Sequence, residues 1–128
     1  MLQVNKRLNN VNMKKADKSN STAGNGVEFY NLEKVRFIIK DGSGLDIDYA
    51  YEDLVFSEQG IFIFQFDVNN SDTIFCWFNQ DCIESNRITL LSSLIKTAIL
   101  NKMKIIYKGK FDMIQKEEDQ ISVNFIDN

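Results

Sequence analysis

The sequence predicts a β-rich α+β fold: a small antiparallel barrel of five to six strands, with one amphipathic helix before the last two strands. Three observations carry this. Ten of the 128 residues are Phe, and several alternate with other residues in short runs, the pattern of a pleated, half-buried surface. Tight polar turns punctuate those runs at regular intervals. After Asp81 the apolar spacing changes from steps of two to steps of three and four.

Residues 1–26 read as a basic, flexible arm ahead of a single β-rich domain over 27–128. The arm carries Lys6, Arg7, Lys14, Lys15 and Lys18 against Asp17, and ends in the polar run from Ser19 to Gly26. Val27 to Lys40 is taken as the first strand, with Val35, Phe37 and Ile39 on one face, closed by a turn at Asp41-Gly42-Ser43-Gly44. In the second strand Leu45, Ile47, Tyr49 and Tyr51 share one face, and Asp46, Asp48, Ala50 and Glu52 the other. Glu58-Gln59-Gly60 turns the chain into a third strand with Phe62, Phe64, Phe66 and Val68 on one side. The fourth, Thr73 to Phe78, sets Phe75 and Trp77 opposite Ile74, Cys76 and Phe78, so it has apolar residues for both faces.

Ser85 or Asn86 can cap a helix running to about Lys102. Ile88, Leu91, Ile95, Ala98 and Ile99 form its stripe, and Leu90 and Leu94 widen it beyond what one sheet face needs. Packing on another subunit or plugging the end of a barrel would each use the excess; on the first reading Leu90, Leu94 and Lys102 are the candidate oligomer interface. Met103 to Lys108 is a fifth strand and Gln120 to Ile126 a sixth, joined by a polar loop around Gln115 to Asp119.

Composition points away from catalysis. The chain has no His, which removes the usual general base, the nucleophile pairs built on it and the commonest metal ligand. Two cysteines are too few for a four-thiolate zinc site. The paired acids Asp46 and Asp48 sit in a polar, turn-like context, unlike a carboxylate pair with one member in an apolar pocket. Asp41-Gly42-Ser43-Gly44 precedes a strand and lacks the downstream lysine of a phosphate loop, and the run to Asp48 misses the calcium-loop register. The expectation is no enzyme, no cofactor and no metal. No apolar run approaches the ~20 residues of a spanning helix, and the N-terminal residues lack the apolar core of a secretory signal. Cytoplasmic location is the default, with export by another route left open. In that compartment Cys76 and Cys82 are expected as thiols.

Charge is segregated. Ten acids and no base lie between Asp41 and Asn86; six bases and no acid lie between Arg87 and Lys110. The two blocks can balance within one domain, or the acidic face can meet a basic one on a second copy or a cationic protein. Asp46, Asp48, Tyr49, Tyr51, Glu52 and Trp77 are the candidate partner-binding residues, since an aromatic such as Trp77 can stack on a sugar or anchor an interface. Nucleic acid is not an expected partner, because these aromatics lack surrounding Lys and Arg.

The order from Asp72 to Lys108 is a Cys-bearing strand, an amphipathic helix, a short polar turn and the strand Lys104-Ile105-Ile106-Tyr107. With the helix end Ala98-Ile99-Leu100-Asn101-Lys102 and a final strand over Ile121 to Phe125, it resembles the B subunits of pentameric A–B bacterial toxins. The resemblance covers about the last half of the chain. It implies an OB-like barrel, a ring-shaped homo-oligomer, and recognition of glycans or another surface ligand. The expected function is a non-catalytic, homo-oligomeric binding or assembly subunit recognising a glycan or protein surface. The alternatives are an acidic immunity-type inhibitor of a cationic toxin, or a structural piece of a larger bacterial complex that uses the arm as a clasp.

Overall fold

In the computed structural model, which describes residues 3–4, 32–117 and 120–127, the chain forms a mixed α+β fold with a curled, half-barrel sheet and two helices. The elements in order are β1 (Gln3–Val4), α1 (Leu32–Ser43), β2 (Ile47–Tyr51), β3 (Leu54–Ser57), β4 (Phe62–Phe66), β5 (Thr73–Asn79), α2 (Glu84–Leu100), β6 (Lys104–Glu117) and β7 (Gln120–Asp127). The strands lie in the order β1-β7-β6-β5-β4-β3-β2. Apart from β1 at the far edge, every strand sits beside its neighbour in sequence. Strands β2 to β5 form an antiparallel meander, as the tight turns require.

The expected all-antiparallel sheet is broken at one place. β5 and β6 are adjacent and parallel, with Thr73 opposite Lys104 and Cys76 opposite Tyr107. Two parallel neighbours cannot be joined by a tight turn, and α2 supplies the crossover. β6 then turns back antiparallel into β7. Of the proposed arm, Gln3 and Val4 pair with Ile126 and Phe125; its other residues lie outside the described set.

The described residues hold two α-helices rather than the one expected. Leu32–Ser43, which takes in the segment read as the first strand from Leu32 on and most of the turn after it, is α1; residues 27–31 lie outside the described residues. The segment satisfies both periods at once. Val35, Phe37 and Ile39 alternate, but Leu32, Val35, Ile38, Ile39 and Gly42 lie on one helical face, and these are the buried ones. Phe37 is left 54% exposed, the mark of the helical choice. Glu33 in the first turn and Lys40 in the last favour it through the helix dipole. Gly42, read as part of a turn, lies within the last turn of α1. A Cβ there would stand 3.1 Å from Leu94 Cδ2 and 3.2 Å from Thr97 Oγ1, so glycine lets α2 approach this closely. Ser93 Oγ also donates to Gly42 O at 2.7 Å, tying the two helices together.

β3 has no counterpart among the expected strands. All four of its residues are buried, so it has no polar alternation to reveal it. Two of the three register shifts in the described sheet decide which face the following residues join. Ile47 pairs with Ser57 and Tyr49 with Phe56, leaving Asp48 as the extra residue. Ile47 therefore joins the helix-covered face, while Tyr49 and Tyr51 turn to the opposite one, against the expected shared face. In β6, Cys76 pairs with Tyr107 and Trp77 with Gly109. Gly109, at φ 152°, takes the strain of this bulge, and beyond it Phe111 and Met113 point to the second face. The strand expected to end at Lys108 thus runs on to Glu117, and β7 starts at Gln120 in place of a long loop.

The core has two layers. Beneath α1 and α2, Phe62, Phe64, Ile74, Cys76 and Phe78 pack with Val35, Ile38, Ile39, Leu94 and Ala98. On the other face Leu54, Phe56, Ile63, Trp77, Phe111 and Phe125 form a cluster of strand residues alone, with the Trp77 and Phe125 rings 4.6 Å apart. Phe62, Phe64 and Phe66 share a side as expected, whereas Val68 lies 70% exposed in the following turn.

Candidate functional site

Helix α2 borders a cleft and also carries exposed apolar side chains. The cleft lies at its N-terminal end. Asn79, the last residue of β5, organises it with both ends of its side chain. Nδ2 donates to Gly60 O at 3.0 Å, and Oδ1 accepts from Asp81 N–H at 2.8 Å. The Asn79 N–H donates to Ile61 O and its own carbonyl accepts from Cys82 N–H, both at 2.9 Å. One residue thereby fixes the turn before β4 against the loop before α2. Between them opens a cleft of about 610 Å³ walled chiefly by Gln59, Ile61, Cys82, Ile83, Asn86 and Leu90. Its lining mixes apolar side chains with the amides of Gln59, Asn79 and Asn86, and Asp81 is the one charged residue among them.

The expected cap at Ser85 or Asn86 is replaced by Ile83, whose side chain makes no capping bond, and α2 starts at Glu84. Its other end closes with Met103 N–H donating to Ala98 O at 2.8 Å and Lys102 N–H to Ile99 O at 3.0 Å, around Lys102 at φ 62°. This pair of bonds is the Schellman arrangement, with lysine where glycine is usual. It sends the chain directly into β6.

Beneath α2 two ionisable groups, Cys76 and Tyr107, have raised values. Burial pushes the Cys76 thiol far up. Tyr107 is raised too, mainly by burial; Arg87 opposes this, with its guanidinium carbon 5.1 Å from the Tyr107 ring centroid. Cys76 and Cys82 are both free thiols, and Cys82 Sγ lies 3.7 Å from Ile83 O. Among the described residues, no three His, Cys, Asp or Glu side chains are grouped so as to hold a metal ion. No described helix is long and apolar enough to cross a membrane.

The second feature is the outward side of α2. At about 100° per residue, Ile88, Ile95 and Ile99 fall within about 40° of one another, and Ile88 lies about 120° round from Leu94. The structure leaves Ile88 54% and Ile99 65% exposed, with Leu91 and Ile95 half-buried between the outward and inward sides. Leu94 and Ala98 are fully buried.

The residues singled out in the sequence do not form one exposed site; Tyr49, Tyr51 and Trp77 share a packed cluster, and the others are scattered. Leu94 is core, packed at the crossing with α1, and cannot meet a partner. Leu90 is half-buried in the wall of the cleft; Lys102 alone of the three is exposed. Trp77 is 4% exposed, stacked on Phe125, and its Nε1 donates to Gln65 Oε1 at 3.2 Å. Gln65 Nε2 in turn donates to Asp53 Oδ2 at 3.1 Å, so the indole is locked as a core residue and offers no stacking platform. Tyr49 and Tyr51 pack half-buried against the same cluster, Tyr49 edge-on to Phe56. Asp46 binds Arg36 at 3.3 Å, and its N–H donates to Glu58 Oε1 at 2.8 Å. Asp48 occupies the β2 bulge, and Glu52 stands exposed in the β2–β3 turn at φ 53°.

The outward residues Ile88 and Ile99 belong to the predicted stripe, but they lie on the flank opposite the one assigned to the interface. Spacing shows that the stripe is too wide; it does not show which side another helix will cover. The chain matches no family model, no curated protein and no solved structure.

Proposed function

We propose that this chain is a non-catalytic binding or assembly subunit that associates with copies of itself. The observation that carries the reading is the division of one helix. Leu94 and Ala98 on α2 satisfy the sheet and α1 completely, while Ile88 and Ile99 stand more than half exposed on a different side. A contiguous apolar strip that the fold does not need marks an interaction surface. The likeness to toxin B subunits enters this reading for one point, self-association; the parallel β5–β6 pairing gives the sheet its own strand order. The cleft beside Asn79 supplies the recognition face, with apolar lining residues and amides able to orient a side chain or a sugar. Multi-angle light scattering on the full chain at tens of micromolar tests the assembly; a single monomeric species across that range sinks it.

A second reading, an acidic inhibitor of a cationic protein, draws on Asp48 and Glu52 at the β2 edge. Asp46 belongs to it less than the sequence suggests, since its carboxylate is engaged by Arg36. Changing Asp48 and Glu52 to Lys would abolish capture of a cationic partner while leaving self-association intact.

A further inference from the structure

The charges at the two ends of the α2 strip specify how a second copy fits. Going along the helix, Glu84 stands in the first turn; its carboxylate lies 3.6 Å from the Arg87 guanidinium, yet its side chain is 78% exposed and open to a second cation. The apolar positions Ile88, Leu91, Ile95 and Ile99 follow, and Lys102 stands exposed at the far end. From Ile88 to Ile99 the strip is about 16 Å long at 1.5 Å per residue. Its middle, at Leu91 and Ile95, is only half exposed, and Ser92 beside it is small enough for close approach.

Two copies can lay these strips together in two ways. In a parallel pair Glu84 would meet Glu84 and Lys102 would meet Lys102, and the like ends of two helix dipoles would lie side by side. In an antiparallel pair the sequence numbers of facing residues add to about 187. Ile88 then faces Ile99 of the other copy, Leu91 meets Ile95, and Glu84 reaches Lys102 at both ends. The dipoles oppose, and each contact is repeated by twofold symmetry, as a closed homodimer requires. Resting on the self-association proposed above, we infer that α2 is the contact helix of an isologous homodimer. It packs antiparallel on its own copy about a twofold axis level with Ser93, with Glu84–Lys102 pairs closing both ends.

The sheet explains why this helix, and not α1, serves. α2 is the crossover between the parallel strands β5 and β6, anchored by Leu94 and Ala98 beneath and by the Schellman turn at its end. Its outer side is therefore presented rigidly, which lowers the ordering cost of association.

The test uses the full chain in sedimentation equilibrium from micromolar to millimolar concentration, with circular dichroism to check folding. Ile99→Asp places a charge in the strip and is expected to raise the dimer dissociation constant at least about tenfold, its own charge facing Ile88 of the other copy. Glu84→Lys and Lys102→Glu should each weaken the dimer by about threefold, because an exposed pair is worth little but occurs twice. The double variant carrying both changes should return to within about twofold of the parent, since the exchanged charges again face their opposites at both ends. Rescue by the double swap supports the antiparallel register. A dimer that ignores Ile99→Asp leaves self-association standing and overturns this interface. A dimer that responds to Ile99→Asp but is not rescued overturns the register. A monomer at every concentration overturns both this inference and the reading beneath it.

Discussion

The two helices lie on the same face of the same sheet and treat their apolar residues differently. α1 turns Leu32, Val35, Ile38 and Ile39 inward and leaves one large apolar side chain, Phe37, outside. α2 buries Leu94, Thr97 and Ala98, yet exposes Ile88, Ile99 and Leu100. An amphipathic helix needs a single apolar stripe to join a core, and α1 meets that requirement closely. The surplus on α2 exceeds what the described sheet and α1 cover, and the proposed self-association would give it a partner. One helix uses its apolar residues for the fold; the other uses part of them there and leaves the rest for the interface proposed above.

Leu94→Ala is the strongest way to break this comparison. Leu94 is fully buried where α2 crosses α1, and truncation should cost about 2–5 kcal/mol of unfolding free energy, read as a lowered urea midpoint. A loss near zero would mean that Leu94 is not the inward anchor of α2. Gly42→Ala tests the same crossing from the α1 side. The added methyl meets Leu94 and Thr97 at 3.1–3.2 Å, and overpacking should cost about 1–3 kcal/mol. Stabilisation instead, by the better helix propensity of Ala, would show that the helices can move apart without loss.

A smaller effect comes with alkali. Cys76 and Tyr107 both have raised values in the folded chain, so the fold holds their protons more tightly than the unfolded chain does. Their contribution is complete below the unfolded values, about 8.5 for Cys and about 10 for Tyr, and is lost as pH rises above them. Urea midpoints measured from pH 7 to 10.5 should fall at the alkaline end. Cys76→Ala should flatten the start of that fall and Tyr107→Phe its upper part; unchanged slopes would remove these groups from the account.

The smallest effect separates the two outer sides. Phe37→Ser and Ile99→Ser should each change unfolding free energy by only about 0.5 kcal/mol, as exposed substitutions do. Only Ile99→Ser should shift the monomer–dimer balance in light scattering. Equal shifts for both would make the outer surfaces of α1 and α2 equivalent and dissolve the distinction.

Some of this is legible in the residues. The change of period after Asp81, the Phe-rich alternation of β4 and the two-sided burial of β5 follow from spacing alone, and the helix ahead of the last two strands lies within about two residues of its expected ends. α1 is not legible, because Val35-Phe37-Ile39 satisfies a strand while Leu32, Val35 and Ile39 satisfy a helix, and a dozen residues cannot arbitrate between them. The candidate site is less legible still. Tyr49 and Trp77 look like ligand platforms in sequence, but a one-residue bulge and a stack on Phe125 turn them into packing.

The order of residues by itself determined the supply of Phe for a two-faced sheet, the existence of α2, the surplus of apolar groups upon it, and the separation of acids from bases. These are properties of composition and local period, which need no knowledge of what lies across the core. Tertiary structure alone decided that Leu32–Ser43 would coil, that β5 and β6 would run parallel, and that Leu94 would face inward while Ile99 faced out. Those outcomes depend on which surfaces meet. Whether a side chain is buried is set by the neighbour that covers it, here the approach of α2 to Gly42, and no spacing rule along one helix contains that neighbour.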